Sequence, residues 1–162
     1  MLALESRPLD GRNGHEAGRA LLRQMVEQLT GTPMPPVEKT PMGKPYFVGS
    51  KLQFSISHTK THVFCALSDR PIGIDAEELT RQVDLRLAEK ILSEHELACY
   101  RQASDKNRAL LTFWVLKEAA AKCTGRGLQG FPNRTNFSLT DTRVRMQEGC
   151  LVAVIEEEDD AV

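Results

Sequence analysis

Three short β-like runs, LQFSIS (52–57), HVFCALS (62–68) and PIGIDAE (71–77), follow one another with only a few residues between them. In the first, Leu52, Phe54 and Ile56 alternate with polar neighbours, the pattern of a half-buried strand. The triplet TKT between the first two suits a hairpin turn. Upstream, Ala17, Leu21, Leu22, Met25, Val26 and Leu29 recur at helical spacing, and Gly31 with Pro33 closes that helix. The stretch PMPPVEKTPMGKP is expected to be a proline-rich loop without regular structure, leading to Lys44.

Downstream, Ser93 and Glu96 form a capping-box pattern that predicts a helix start. A second helix begins near Ser104 and runs through RALLTFWVLKEAAAKCTG. Its apolar face includes Leu110, Phe113, Trp114 and Ala121, and Gly125 is its expected C-cap. The last stretch, from Thr135, alternates well enough for two strands joined near Glu148-Gly149, and the tail Glu156 to Asp160 reads as a solvated end. Strands, then helices, then strands make the class α+β, with a seam near Pro71.

With 162 residues, 41% hydrophobic and 27% charged, the chain can bury a core as one domain or two small halves. A formal net charge of −1 gives no bulk attraction to nucleic acid or to a membrane. No apolar run approaches the ~20 residues of a membrane span, and the acid-bearing N-terminus is not a secretory signal. Cys65, Cys99, Cys123 and Cys150 are scattered without a CxxC pair, so free thiols in a reducing cytoplasm are expected.

Side chains two apart on a strand point the same way, so Asp75 and Glu77 project together from the end of PIGIDAE. Two such carboxylates repel unless a cation or base sits between them. A lone DxE also describes a solvated strand edge, and Glu118 with Lys122 also describes a surface pair on a helix. Trp114, Glu118 and Lys122 are spaced four apart, which puts Glu118 on the face of the sole tryptophan, at the margin of buried surface. Oxygen ligands without a nearby His or Cys cluster favour Mg²⁺ over other metals. Lys44, between Gly43 and Pro45, and the Ser57-His58 pair after LQFSIS are candidate phosphate contacts; a solvated loop lysine and a turn histidine are the plainer alternatives. From Lys39 to Lys60 the chain carries lysines and no acid, a basic flank.

Taken in order, GKPYF, FSISHT, PIGIDAEE and WVLKEAAAKCTGRGL resemble the 4′-phosphopantetheinyl transferases of the Sfp-like type, over most of residues 43–128. The resemblance implies two similar α+β halves packed as a pseudo-dimer, here residues 1–71 and 72–162, with the active site between them. It implies transfer of phosphopantetheine from coenzyme A to a serine of an acyl- or peptidyl-carrier protein, releasing 3′,5′-ADP. Carried over by motif, Asp75, Glu77 and Glu118 would be magnesium ligands, and Glu118 the candidate base for the carrier serine. Lys122 would stand near the transferred phosphate and Lys117 would play a more structural part. Lys44, Ser57 and His58 would contact coenzyme A phosphates, with Arg19 as a further basic contact. The chain reads as a short, cytoplasmic member of the type, with two halves that let a monomer suffice. A coenzyme A-binding regulatory module of the same fold and a metal-dependent phosphohydrolase are the alternative functions.

Overall fold

The computed structural model describes residues 1–127 and 135–158. In chain order the elements are β1 (Ala3–Pro8), α1 (Gly14–Thr30), β2 (Val37–Lys39), β3 (Pro45–Phe47), β4 (Gln53–His58), β5 (His62–Ser68) and β6 (Ile72–Glu78). A 3₁₀ turn (Leu85–Leu87) then leads to α2 (Ala88–Ile91), α3 (Glu94–Gln102), α4 (Lys106–Thr124), β7 (Val144–Gln147) and β8 (Cys150–Glu156). The α+β class read from the sequence is the architecture found.

The strands form two three-stranded antiparallel sheets, ordered β1-β5-β4 and β6-β8-β7, beside the small β2-β3 ribbon. In both sheets the last strand in sequence lies in the middle, and a long helix precedes the closing hairpin. Helix α1 covers one face of the first sheet, where Leu22, Met25 and Val26 meet Phe54, Val63, Cys65 and Leu67. Helix α4 covers one face of the second, where Leu116 and Ala119 join Leu151, Ala153 and Ile155. The remaining faces meet each other through Phe64 and Ala66 on one side and Ile72, Ile74, Ala76, Val152 and Val154 on the other. Strand β5 therefore has neighbours on both faces, which is why HVFCALS carries apolar residues without strict alternation.

Local chemistry sets the ends of these elements. The Asn13 side chain accepts the Glu16 N–H at the start of α1, and Gly31 closes that helix in the left-handed region. The Ser93–Glu96 capping box is formed in full, and Asp105 and Gly125 bound α4. Glu148 and Gly149, both at positive φ, make the tight turn between β7 and β8.

Two expectations are corrected. The proline-rich stretch contains a ribbon, in which Val37–Lys39 pairs with Pro45–Phe47. Pro45 opens its strand, a position where its missing N–H does little harm, and buried Phe47 stacks against Phe54 with ring centroids 4.6 Å apart, pinning the ribbon to the α1 core. The acidic tail does not start at Glu156. That residue ends β8, and its carboxylate takes the Met1 ammonium and the Ser68 hydroxyl, each at 2.5 Å. Residues 159–162 of the tail, and Leu128 at the end of the α4 motif, lie outside the described residues.

Among the described residues no helix is long and apolar enough to cross a membrane. All four cysteines are free thiols, and burial pushes Cys65 up to about 12.

Candidate active site

Strand β6 is the platform of the site. Its residues alternate, so that Ile74 and Ala76 face the first sheet while Gly73, Asp75 and Glu77 face the other way, toward α4. A Cβ at Gly73 would fall 2.5 Å from the Cys123 amide nitrogen and closer still to the Ala119 carbonyl oxygen. The backbone of α4 thus rests directly on the strand at this glycine. That contact brings Lys122 over β6, where its ammonium donates to the Ile74 carbonyl at 2.9 Å and to Asp75 Oδ1 at 3.2 Å.

Asp75 is 7% exposed, and its second oxygen, Oδ2, is buried without a hydrogen-bond partner among the described residues. Burial pushes its carboxyl up to about 7; Lys122 pulls the other way, while the carboxylates of Glu77 and Glu118 push it further up. Glu118 is half-buried, as its place beside Trp114 predicted, and burial also raises it, opposed by Lys122. Glu77 is held by Arg81, four residues on in the loop after β6, at 2.5 Å.

Over this platform opens a cavity of about 420 Å³. Helix α1 contributes His15 and Arg19, the β2-β3 ribbon Lys39, Met42 and Lys44, strand β4 Ser55 and His58, and α4 Glu118 and Lys122. Of the residues singled out from the sequence, Arg19, Lys44, His58, Glu118 and Lys122 come together on its wall. Ser57, Asp75 and Glu77 do not line it. Ser57 is turned into the seam between the sheets, where its hydroxyl accepts the Ala76 N–H at 3.1 Å and reaches Asp75 Oδ1 at 3.4 Å.

The Arg19 guanidinium lies 5.8 Å from the Phe54 ring centroid, and His58 sits against Gly14, where a Cβ would collide with its ring. Lys44 spans from the ribbon to the end of α4, donating to the Cys123 carbonyl at 2.6 Å, and burial lowers its affinity for a proton. A cation on the last carbonyls of a helix is favourably placed against the helix dipole.

Sequence reasoning missed His15, Gly73 and Ser55. His15 carried a signal, since it lies one helical turn before Arg19 and shares its face. Lys117, next to Glu118, is 1% exposed and points away from the cavity to the buried carboxylate of Glu96 at 2.7 Å.

The donor set fits a hard divalent cation in part by charge and in part by need. Asp75 Oδ2 is an orphaned carboxyl oxygen, and Glu77 and Glu118 are near enough to raise the Asp75 proton affinity. Among the described residues no three His, Cys, Asp or Glu side chains stand together as a ready cage. Mg²⁺ does not require one, because it keeps waters and takes one or two carboxylates plus substrate phosphate oxygens.

A stability prediction follows for the metal-free protein. Because folding raises the Asp75 carboxyl from its ordinary range to about 7, the ionised carboxylate opposes the fold, and stability is lost as pH rises through that window. Asp75→Asn should therefore gain on wild type, in thermal midpoint measured in chelator, between pH 4 and pH 8. A difference that does not change with pH would contradict this electrostatic picture.

Residues 71–152 match the family model described as the 4'-phosphopantetheinyl transferase superfamily, and the chain belongs to that superfamily. It is similar to the 4'-phosphopantetheinyl transferase gsp of Aneurinibacillus migulanus, with 33% identity over 116 residues covering 68% of this chain and 48% of that protein. The 4'-phosphopantetheinyl transferase psf-1 of Bacillus pumilus is 31% identical over 136 residues, 81% of this chain and 55% of that one. The holo-[acyl-carrier-protein] synthase of Shewanella frigidimarina is 40% identical over 63 residues, 35% of this chain and 50% of its own. The chain spans about half the length of the first two relatives.

Proposed function

We propose that this chain transfers the 4′-phosphopantetheine group of coenzyme A to a serine of an acyl- or peptidyl-carrier protein in an Mg²⁺-dependent reaction. The observation that carries the reading is the cavity wall itself, where Arg19, Lys44, His58 and Lys122 surround a space bordered by Glu118 and backed by Asp75. Cationic side chains beside carboxylates suit a substrate that carries a pyrophosphate and a further phosphate.

In this reading residues 1–71 and 72–162 are the two halves of a pseudo-dimer, each built on a sheet of the same strand order, and the reaction occurs between them. Arg19, Lys44 and His58 bind the phosphates of coenzyme A. Asp75, Glu77 and Glu118 would hold the ion, which when bound neutralises charge on the pyrophosphate. Glu118, half-buried and with raised proton affinity, accepts the proton of the carrier serine. The serine oxygen then forms a bond to the phosphorus that bears pantetheine, and the bond from that phosphorus to the bridging oxygen breaks. The electron pair leaves on 3′,5′-ADP, with Lys122 near enough to offset the charge. The four free thiols accord with a reducing cytoplasm, and one chain supplies both halves of a monomer.

Glu118→Ala should lower transfer at least 100-fold while the thermal midpoint stays within a few degrees, since the side chain is half-buried and carries no hydrogen bond among the described residues. Transfer at the wild-type rate would remove Glu118 from both roles. Coenzyme A binding with no transfer by the wild-type protein, to any carrier, would favour a regulatory module instead.

A further inference from the structure

Among the described residues strand β6 is an edge strand, paired in its sheet to β8 alone. On its open side two backbone N–H groups, at Ile74 and Ala76, would be left without ladder partners. They belong to the residues on either side of Asp75. Both are met by side chains of β4: Ser55 Oγ accepts the Ile74 N–H at 3.0 Å and Ser57 Oγ accepts the Ala76 N–H at 3.1 Å. The two serines are 7% and 6% exposed. Being two apart on a strand, they share a face at the same repeat as the two amides they meet.

Ser57 does one thing more. Its hydroxyl proton points to Asp75 Oδ1 at 3.4 Å, the oxygen that also takes Lys122. A serine has a single proton to donate. While it faces Asp75 it is not available to a phosphate oxygen, and the residue does not line the cavity. The Ile74 carbonyl takes the Lys122 ammonium, so the two peptides flanking Asp75 are held by Lys122 and Ser57, and the one before them by Ser55.

We infer that Ser55 and Ser57 form a two-point clip that carries Asp75 across the seam between the sheets. Ser57 is a positioning residue that acts through Asp75 rather than through coenzyme A, and Ser55, which also lines the cavity, holds the strand at the Ile74 amide. The inference rests on the proposed transfer reaction for its functional consequence, though not for its geometry. It also assigns the SIS triplet a purpose that its closeness to His58 does not reveal: the N-terminal sheet sets the aim of a carboxylate that belongs to the C-terminal one.

The test has two arms. In the first, amide hydrogen exchange of the free protein should show Ile74 and Ala76 protected although they lie on a sheet edge. Ser55→Ala should deprotect Ile74 selectively, and Ser57→Ala should deprotect Ala76. In the second, Mn²⁺ is titrated as a probe ion into the coenzyme A complex, and coenzyme A binding is measured separately in chelator. Ser57→Ala should weaken Mn²⁺ at least tenfold and lower kcat at least tenfold, with metal-free coenzyme A affinity within twofold of wild type. Ser57→Thr, which keeps the hydroxyl, should recover most of the Mn²⁺ affinity and serves if the alanine variant does not fold.

Loss of coenzyme A affinity with Mn²⁺ affinity unchanged would make Ser57 a phosphate ligand and overturn the inference. Unchanged exchange at both amides would overturn it as well. If wild type itself transfers nothing, the proposed function fails, and the exchange arm still decides the clip.

Discussion

Lys117→Ala is expected to destabilise the fold by about 3–5 kcal/mol, the range for breaking a buried ion pair from one side. The Lys117 and Glu96 side chains are 1% and 0% exposed and meet at 2.7 Å. Glu96 Oε1 also accepts the Ser93 N–H at the start of α3, and Oε2 accepts the Phe137 N–H, both at 2.9 Å. The Lys117 ammonium further reaches the Thr135 carbonyl at 3.4 Å. One carboxylate thus caps a helix, anchors α4 and holds the chain leading to β7. Removing the lysine takes the counter-charge from a buried anion, and removing Glu96 takes it from a buried lysine and leaves the Ser93 and Phe137 N–H groups without that acceptor. Replacing both by apolar residues of similar size (Glu96→Leu with Lys117→Met) should be milder than either single loss to alanine. Urea unfolding of the three variants measures this. A cost below about 1 kcal/mol for Lys117→Ala would show that the pair is not the tie described here.

Gly73→Ala is expected to do its damage in the site. The added methyl meets the α4 backbone at Ala119 and Cys123, not the end of a flexible side chain, so α4 must move as a unit. Overpacking of this kind costs about 1–3 kcal/mol and sometimes more. The larger effect falls on activity, because Glu118 and Lys122 ride on α4 while Asp75 stays with β6. A displacement of about 1 Å between reacting groups can cost about 100-fold in rate. Gly18→Ala offers the control. There the nearest atom is a side-chain methyl, Ile56 Cγ2, which can give way by rotation, and α1 carries no carboxylate of the site. Transfer by Gly73→Ala within threefold of wild type would mean that the close approach of α4 to β6 is not what sets the site.

Where local chemistry decides the structure, the sequence was readable. The Ser93–Glu96 box and the Gly125 cap each act within a turn or two of chain and appear as read. The strand expected over 52–57 forms as Gln53–His58 with Ser55 and Ser57 buried, because its second face meets the other sheet. β1 was missed because ALESRP mixes charges and a proline into its alternation, and only pairing along β5 makes it a strand. The β2-β3 ribbon was missed because its composition reads as loop, while its order depends on Phe47 reaching the α1 core.

The same division holds in the site. That Asp75 and Glu77 share a face follows from the period of a strand, and that Glu118 lies at a burial margin follows from its helical spacing to Trp114. The contacts that cross between elements in and beside the site were not legible. Ser57 meets Asp75 across the seam, Lys122 meets Ile74 across the α4–β6 contact, and Glu96 meets Lys117 between two helices. Each depends on how elements distant in sequence pack. Gly73 shows the limit most clearly: within a strand a glycine reads as a weak point, and its use as the seat of a helix appears only when the helix is in place.

In the proposed reading, a cavity lined by cationic side chains over a buried carboxylate platform serves phosphopantetheine transfer. The most direct test is to incubate the full chain with coenzyme A, Mg²⁺ and a panel of apo carrier proteins from fatty-acid, polyketide and peptide assembly, then to read intact masses. The account predicts a gain of one phosphopantetheine on at least one carrier, abolished by chelator and by replacing the carrier serine with alanine. No gain on any carrier, from a folded protein that binds coenzyme A, would contradict it.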